Sequence, residues 1–195
     1  MIDRILERTF LLFLSSGFAK TNTDQIAKHI GISKRTLYKY YDTKEKLIDS
    51  VFELMRSKVQ AKFNAVLADR NRDPIDRLKE ILFFISDLGS KMSKTFAKDL
   101  ETARPDLFDT MKEFRKQRIL SLSDLLREGQ KAGQIRKDIT PELTIDILIA
   151  AVDGVLNPTY LFQSPYSNTT AFEAIVNIFL EGVQERKGSA RKKRS

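Results

Sequence analysis

The chain has 195 residues, 42% hydrophobic and 31% charged, a composition that supports a packed core in water. It has no Cys and a single His, His29, which excludes disulfides and thiolate metal sites and leaves no nucleophile–base pair, so neither an enzyme nor a cofactor is expected. Of the net charge of +8, six units lie in residues 186–195, RKGSARKKRS, and the rest of the chain carries only +2.

The pattern in chain order is helical throughout. The first helix is expected over about Ile2 to Ser16, with Ile2, Ile5, Leu6, Thr9, Phe10 and Phe13 on one face. Its LLFL core is short and preceded by Asp3 and Glu7, which argues against an export signal and for a cytoplasmic protein. Gly17 ends it and Phe18 should enter the core. Thr23 is the expected N-cap of the second helix, with Ile26, Ala27 and Ile30 inside. Gly31 breaks that helix, Ile32 plugs the turn, and Ser33 caps a third helix running to about Tyr41. Thr43 then caps a long fourth helix from Lys44 to about Ala68.

Pro74 opens the fifth helix, with Leu78, Ile81, Leu82 and Ile85 inside and Gly89 interrupting it. A short sixth covers about Met92 to Glu101. The seventh is expected from Pro105 to Gly133, the eighth from Pro141 to the bend at Asn157-Pro158, and the ninth after Ser164-Pro165. Beyond Gly188 the chain is too charged to bury anything and is expected to be a disordered basic tail. The expected fold class is therefore all-α, with about nine helices and no strand.

The segment Thr23 to Lys46 stands apart. Two short helices over a glycine turn make a helix-turn-helix, whose second helix would lie in a DNA major groove. Lys34, Arg35 and Lys44 sit at helix N-termini, where cations oppose the macrodipole. They make sense facing a polyanion. Lys34, Arg35 and Thr36 lead the third helix, where it would meet base edges, while Leu37 faces inward. Tyr38, Tyr40 and Tyr41 are too many large rings for one small core, so some must lie at the surface, able to bond a phosphate or touch a thymine methyl. A solvated basic face on an ordinary bundle would not need the cap, turn, basic pair and Tyr cluster together.

These residues resemble the TetR family of transcriptional regulators, whose N-terminal domain follows a pattern like T-x-x-x-I-A-x-x-x-G-V/I-S-x-x-x-L/I-Y-x-Y-F/Y-x-S/T-K-E-x-L. Here it reads Thr23, Ile26-Ala27, Gly31-Ile32-Ser33, Leu37-Tyr38, Tyr40-Tyr41, Thr43-Lys44-Glu45 and Leu47. One departure is Arg35-Thr36, where many members carry Gly or Ala nearby, and it bears on base preference rather than fold. The resemblance implies a DNA-binding domain over residues 1–46 and an effector-binding and dimerisation bundle over 47–187. It makes Thr23, Tyr38 and Lys44 phosphate contacts and Lys34, Arg35 and Tyr40 base readers. It also implies a homodimer through predicted helices eight and nine, bound to double-stranded DNA at a palindromic operator. The segment GQIRKDITPE looks like the loop that often precedes helix eight in such regulators.

The eighth and ninth helices are rich in Ile, Val, Leu and Phe, and Ala150, Ala151 and Gly154 would let helices approach closely. Asp153 and Asn157, one turn apart, favour interface hydrogen bonds over a ligand contact. For an effector, Phe83, Phe84, Met92 and Phe96 are candidates, with Phe108, Met111, Phe114 and Phe162. Such a lining would suit an apolar or aromatic ligand, although Phe at helical spacing is usually core. The function expected is a transcriptional regulator, a repressor released by a small-molecule effector. The alternatives are a DNA-binding protein of the same fold in chromosome organisation without an effector, and a helical ligand-binding protein that does not bind DNA.

Overall fold

A computed structural model describes residues 1–185; the expected basic tail lies outside them. Among the described residues there are eleven helices: α1 (Ile2–Ser16), α2 (Thr23–Ile30), α3 (Lys34–Tyr40), α4 (Lys44–Ala68), α5 (Pro74–Ser90), α6 (Lys94–Ala103), α7 (Pro105–Leu120), α8 (Ser123–Lys131), α9 (Pro141–Val155), α10 (Pro158–Gln163) and α11 (Asn168–Val183). Among the described residues there is no strand; one isolated antiparallel bridge joins Ile135 to Gln184.

The fold is all-α, as the periodicity predicts, but two expected helices are subdivided. The span from Pro105 to Gly133 breaks at Ser121-Leu122, because Leu122 turns into the core and is 1% exposed. Asn157-Pro158 starts the separate α10, with the Asn157 side chain accepting from the Tyr160 amide at 3.1 Å. Asp153, one turn earlier, accepts from Arg115 at 2.8 Å. Gly89, expected to interrupt α5, stays helical. A Cβ there would lie 2.2 Å from the Phe172 ring of α11, so glycine permits the close packing of these helices.

Two hydrophobic cores share α4. The first joins α1, α2 and α3 to the start of α4, through Leu47, Ile48, Val51 and Phe52, and to α6, through Phe96 and Leu100. The expected boundary at residue 46 therefore falls where α4 enters this core. The second core takes Val59, Phe63 and Val66 of α4 with α5, α8, α9, α10 and α11. Leu88 and Met92 pack against both. Ile2, expected inside, is exposed on the first turn of α1, and Leu14 is buried in the same core instead.

Arg77 is the largest side chain in either core and is 2% exposed. Its guanidinium donates to the Val66 and Leu67 carbonyls at the end of α4 and to Glu128 of α8. It thereby fastens three helices.

Candidate nucleic-acid interface

The N-terminal helices are held by local side-chain bonds. Asn22, rather than Thr23, caps α2: its side chain accepts from the Gln25 amide at 2.9 Å while Gln25 accepts from the Asn22 amide, a reciprocal capping box. Thr23 is the first helical residue, and its hydroxyl lies 3.3 Å from the Tyr38 hydroxyl on α3. Gly31 adopts φ 82°, ψ 39°, the left-handed conformation glycine takes without a steric penalty, and ends α2 with amide bonds to Ala27 and Lys28. Ser33 caps α3 by accepting from the Thr36 amide at 3.0 Å. Its hydroxyl also lies 2.8 Å from that of Thr36.

Leu37 anchors α3 in the core, which turns the opposite face outward. Arg35, Tyr38 and Lys39 are exposed on that side and Lys34 and Tyr40 on the flanks, while Tyr41 is half-buried against the first core. Burial raises the Tyr41 phenol, partly countered by its hydrogen bond to Ser50. The three-Tyr cluster thus divides as its size demands, two at the surface and one packed. The helix spans about 10 Å, which fits a major groove about 12 Å wide.

The cations differ in availability. Lys34 pairs with Asp24 of α2 at 2.7 Å, and that hydrogen bond raises its pKa. Both side chains are about half exposed, so the pair is weak and exchangeable. Arg35 is exposed and has no acidic partner among the described residues. Lys44, expected to reach a phosphate, donates to the Ala19 carbonyl at 3.0 Å, and burial lowers its pKa. His29 is exposed in the last turn of α2.

Asp99 of α6, which the sequence does not single out, clamps the same loop. Its carboxylate accepts from the Phe18 and Ala19 amides at 2.7 and 2.8 Å. The Ser93 amide before α6 donates to the Leu14 carbonyl at 2.8 Å. The bundle thus holds the reading helices through α6, and nothing in the hydropathy pattern marks an acid with that task.

The eight aromatic and Met candidates differ in burial and in the elements that carry them. Phe96 is a core residue, 1% exposed, stacked on Phe52 and edge-on to Phe18. Phe83 and Phe162 face solvent, with Lys98 over the Phe162 ring at 4.9 Å. Phe84 is half-buried against the second core, and Met92 sits between the cores. Phe108, Met111 and Phe114 share α7 and are half-buried. An open groove of about 370 Å³ between α5 and α11 includes Phe83, and Asp87 and Glu173 edge it. Among the described residues no acidic or His cluster could hold a metal ion, and no helix is long and apolar enough to cross a membrane.

Residues 5–51 match the family model described as bacterial regulatory proteins, tetR family. Over 94% of its length the chain is 26% identical to an uncharacterized HTH-type transcriptional regulator, YvaF of Bacillus subtilis, and covers 95% of that protein. It is 34% identical to IcaR of Staphylococcus epidermidis, a negative transcriptional regulator of a biofilm operon, over 49% of this chain and 51% of the relative. A solved putative regulator of the TetR/AcrR family has the same fold, with a TM-score of 0.69 at 22% identity, covering 92% of this chain and 97% of that one.

Proposed function

We propose that this chain, a member of the TetR family of bacterial transcriptional regulators, is a cytoplasmic repressor that binds a palindromic operator as a homodimer and leaves it when a small molecule enters the bundle. The observation that carries the reading is the outward face of α3. Leu37 fixes the helix, and Arg35, Tyr38, Lys39 and Tyr40 are left exposed on a folded body that is otherwise nearly neutral. Residues 1–46 supply the reader, and the helices that follow supply dimerisation and the effector site.

In this reading Arg35, Lys34 and Tyr40 read bases, with Thr36 beside them at the leading end of α3, while Thr23, Tyr38 and Lys44 set the helix on the backbone. Arg35→Ala should cost about 1–3 kcal/mol of operator affinity and relax base preference. Lys44→Ala should weaken all sequences alike and also loosen the α1–α2 loop, since Lys44 holds Ala19. Binding titrations against the operator and single-base variants separate the two. Equal behaviour of both mutants, or wild-type binding by both, sinks the division of roles.

The dimer surface is assigned to α9 and α11. Leu143, Ile147, Ala150 and Gly154 form an exposed stripe along α9 at i, i+4, i+7 and i+11. Ile178 on α11 is 72% exposed, and Gly154 and Gly182 leave open space for an approaching helix. Such apolar exposure suits a self-complementary interface. Ile147→Glu with Ile178→Glu should shift the protein from dimer to monomer in sedimentation and abolish operator binding. A variant that remains dimeric removes this assignment.

Selection of bound duplexes from a random pool tests the function as a whole. Enrichment of a palindrome is expected, with half-site centres about one helical turn or more apart.

A further inference from the structure

We propose that the effector is an organic anion with an apolar body, its charged end held by Arg56 of α4 and Arg118 of α7 beside the Phe114 ring; this rests on reading the bundle as an effector domain.

Both guanidinium carbons lie over the same ring, Arg56 at 5.7 Å and Arg118 at 5.4 Å from its centroid. Both Nε atoms are buried and neither has a hydrogen-bond partner. Two like charges held against one ring repel each other, and stacking on the π-face offsets only part of that cost. A buried N–H donor left unpaired adds to it.

The surroundings supply little compensation. The carboxylate paired with Arg56 is Glu53, 3.4 Å away on the same helix and mostly exposed. Arg118 has no ion pair among the described residues. Arg115, three residues earlier on α7, is by contrast matched by Asp153 of α9 at 2.8 Å. The site therefore holds an excess of positive charge with donors still to be satisfied.

The packing leaves this helix incompletely covered. None of the side chains of α7 is fully buried, although it carries Phe108, Met111 and Phe114. Half-covered apolar side chains next to two guanidinium groups whose Nε donors have no partner suit a ligand that is apolar along its length and anionic at one end. A carboxylate, sulfonate or phosphate provides the acceptors, and Arg is the side chain suited to them.

Two fluorescent probes with the same aromatic body separate charge from apolarity: 8-anilinonaphthalene-1-sulfonate, an anion, and N-phenyl-1-naphthylamine, its neutral counterpart. The full chain should bind the anion saturably at one site per protomer and release operator as it does so. Arg56→Gln and Arg118→Gln should each weaken the anion by roughly tenfold or more, while changing affinity for the neutral probe by less than about threefold. Arg118→Lys, which keeps the charge but not the fork, should fold and bind the anion more tightly than Arg118→Gln, as a check that losses in the Gln variants are not unfolding. Failure of the wild type to bind the anion, or equal effects of the Gln substitutions on both probes, would overturn the proposal. Selection of DNA by the wild type is scored separately. Absence of any enriched operator defeats the regulator reading, whereas operator binding with an unchanged probe ratio defeats the anion site alone.

Discussion

Arg77→Met should lower stability by about 2–5 kcal/mol, because it leaves two helix-end carbonyls and the partly exposed Glu128 without their buried donor. The side chain is 2% exposed, and three acceptors depend on it: the Val66 carbonyl at 3.0 Å, the Leu67 carbonyl, and Glu128 at 2.7 Å. The last four carbonyls of a helix have no partner within that helix, and Arg77 serves two of those ending α4. Met keeps the apolar stem and removes every donor, so the loss isolates the guanidinium. Arg77→Lys should recover only part of it, because one ammonium cannot reach acceptors on two helices with the same fork geometry. Urea unfolding at fixed protein concentration measures both changes. A loss below about 1 kcal/mol for Arg77→Met would mean that water serves these carbonyls and that the three-helix fastening is dispensable.

Phe96→Ala should cost about 3–5 kcal/mol, the range for deleting a buried aromatic side chain. Phe96 comes from α6, yet it is 1% exposed inside the core that supports the reading helices. It stacks on Phe52 with ring centroids 5.9 Å apart and meets Phe18 edge-on at 6.0 Å. The same helix carries Asp99, which accepts from the Phe18 and Ala19 amides. A shift of α6 would therefore move the end of α1 and the start of α2 together. Phe96→Ala should accordingly reduce effector-induced release of operator by more than it reduces operator affinity at a temperature where the variant is still folded. Thermal unfolding and operator titrations with and without effector report the two quantities. Full retention of release would place the coupling elsewhere, through α4 alone.

Much of the DNA-binding unit was legible in the sequence because its signals are local. Gly31 must be glycine at φ 82°, Ser33 and Thr43 cap the helices they precede, and Leu37 sits where the inner face of α3 requires an apolar residue. For the cap of α2, TNTD offers two candidates, Asn22 and Thr23. Gln25, three residues after Asn22, decides it by completing a capping box. In the bundle, periodicity finds Leu78, Ile81 and Leu82 of α5 but cannot foresee contacts between residues far apart in the chain. Arg77 looks like a surface residue in PIDRLKE until the carbonyls of α4 come into view. Phe96 fits an apolar pocket as well as it fits a core until Phe18 and Phe52 are found beside it. Arg56 and Arg118 lie 62 positions apart in a highly charged chain, and only the shared Phe114 ring brings them to notice.

The central claim is that Arg35, Lys34 and Tyr40 on α3 read a sequence in a paired fashion. Selection from a random duplex pool by the full chain, repeated with Arg35→Ala, tests it most directly. The account predicts a palindrome for the wild type. For the variant it predicts the same half-site spacing with weakened preference at one symmetric pair of positions. Enrichment of no palindrome by the wild type, or an identical motif and affinity for both proteins, would contradict it.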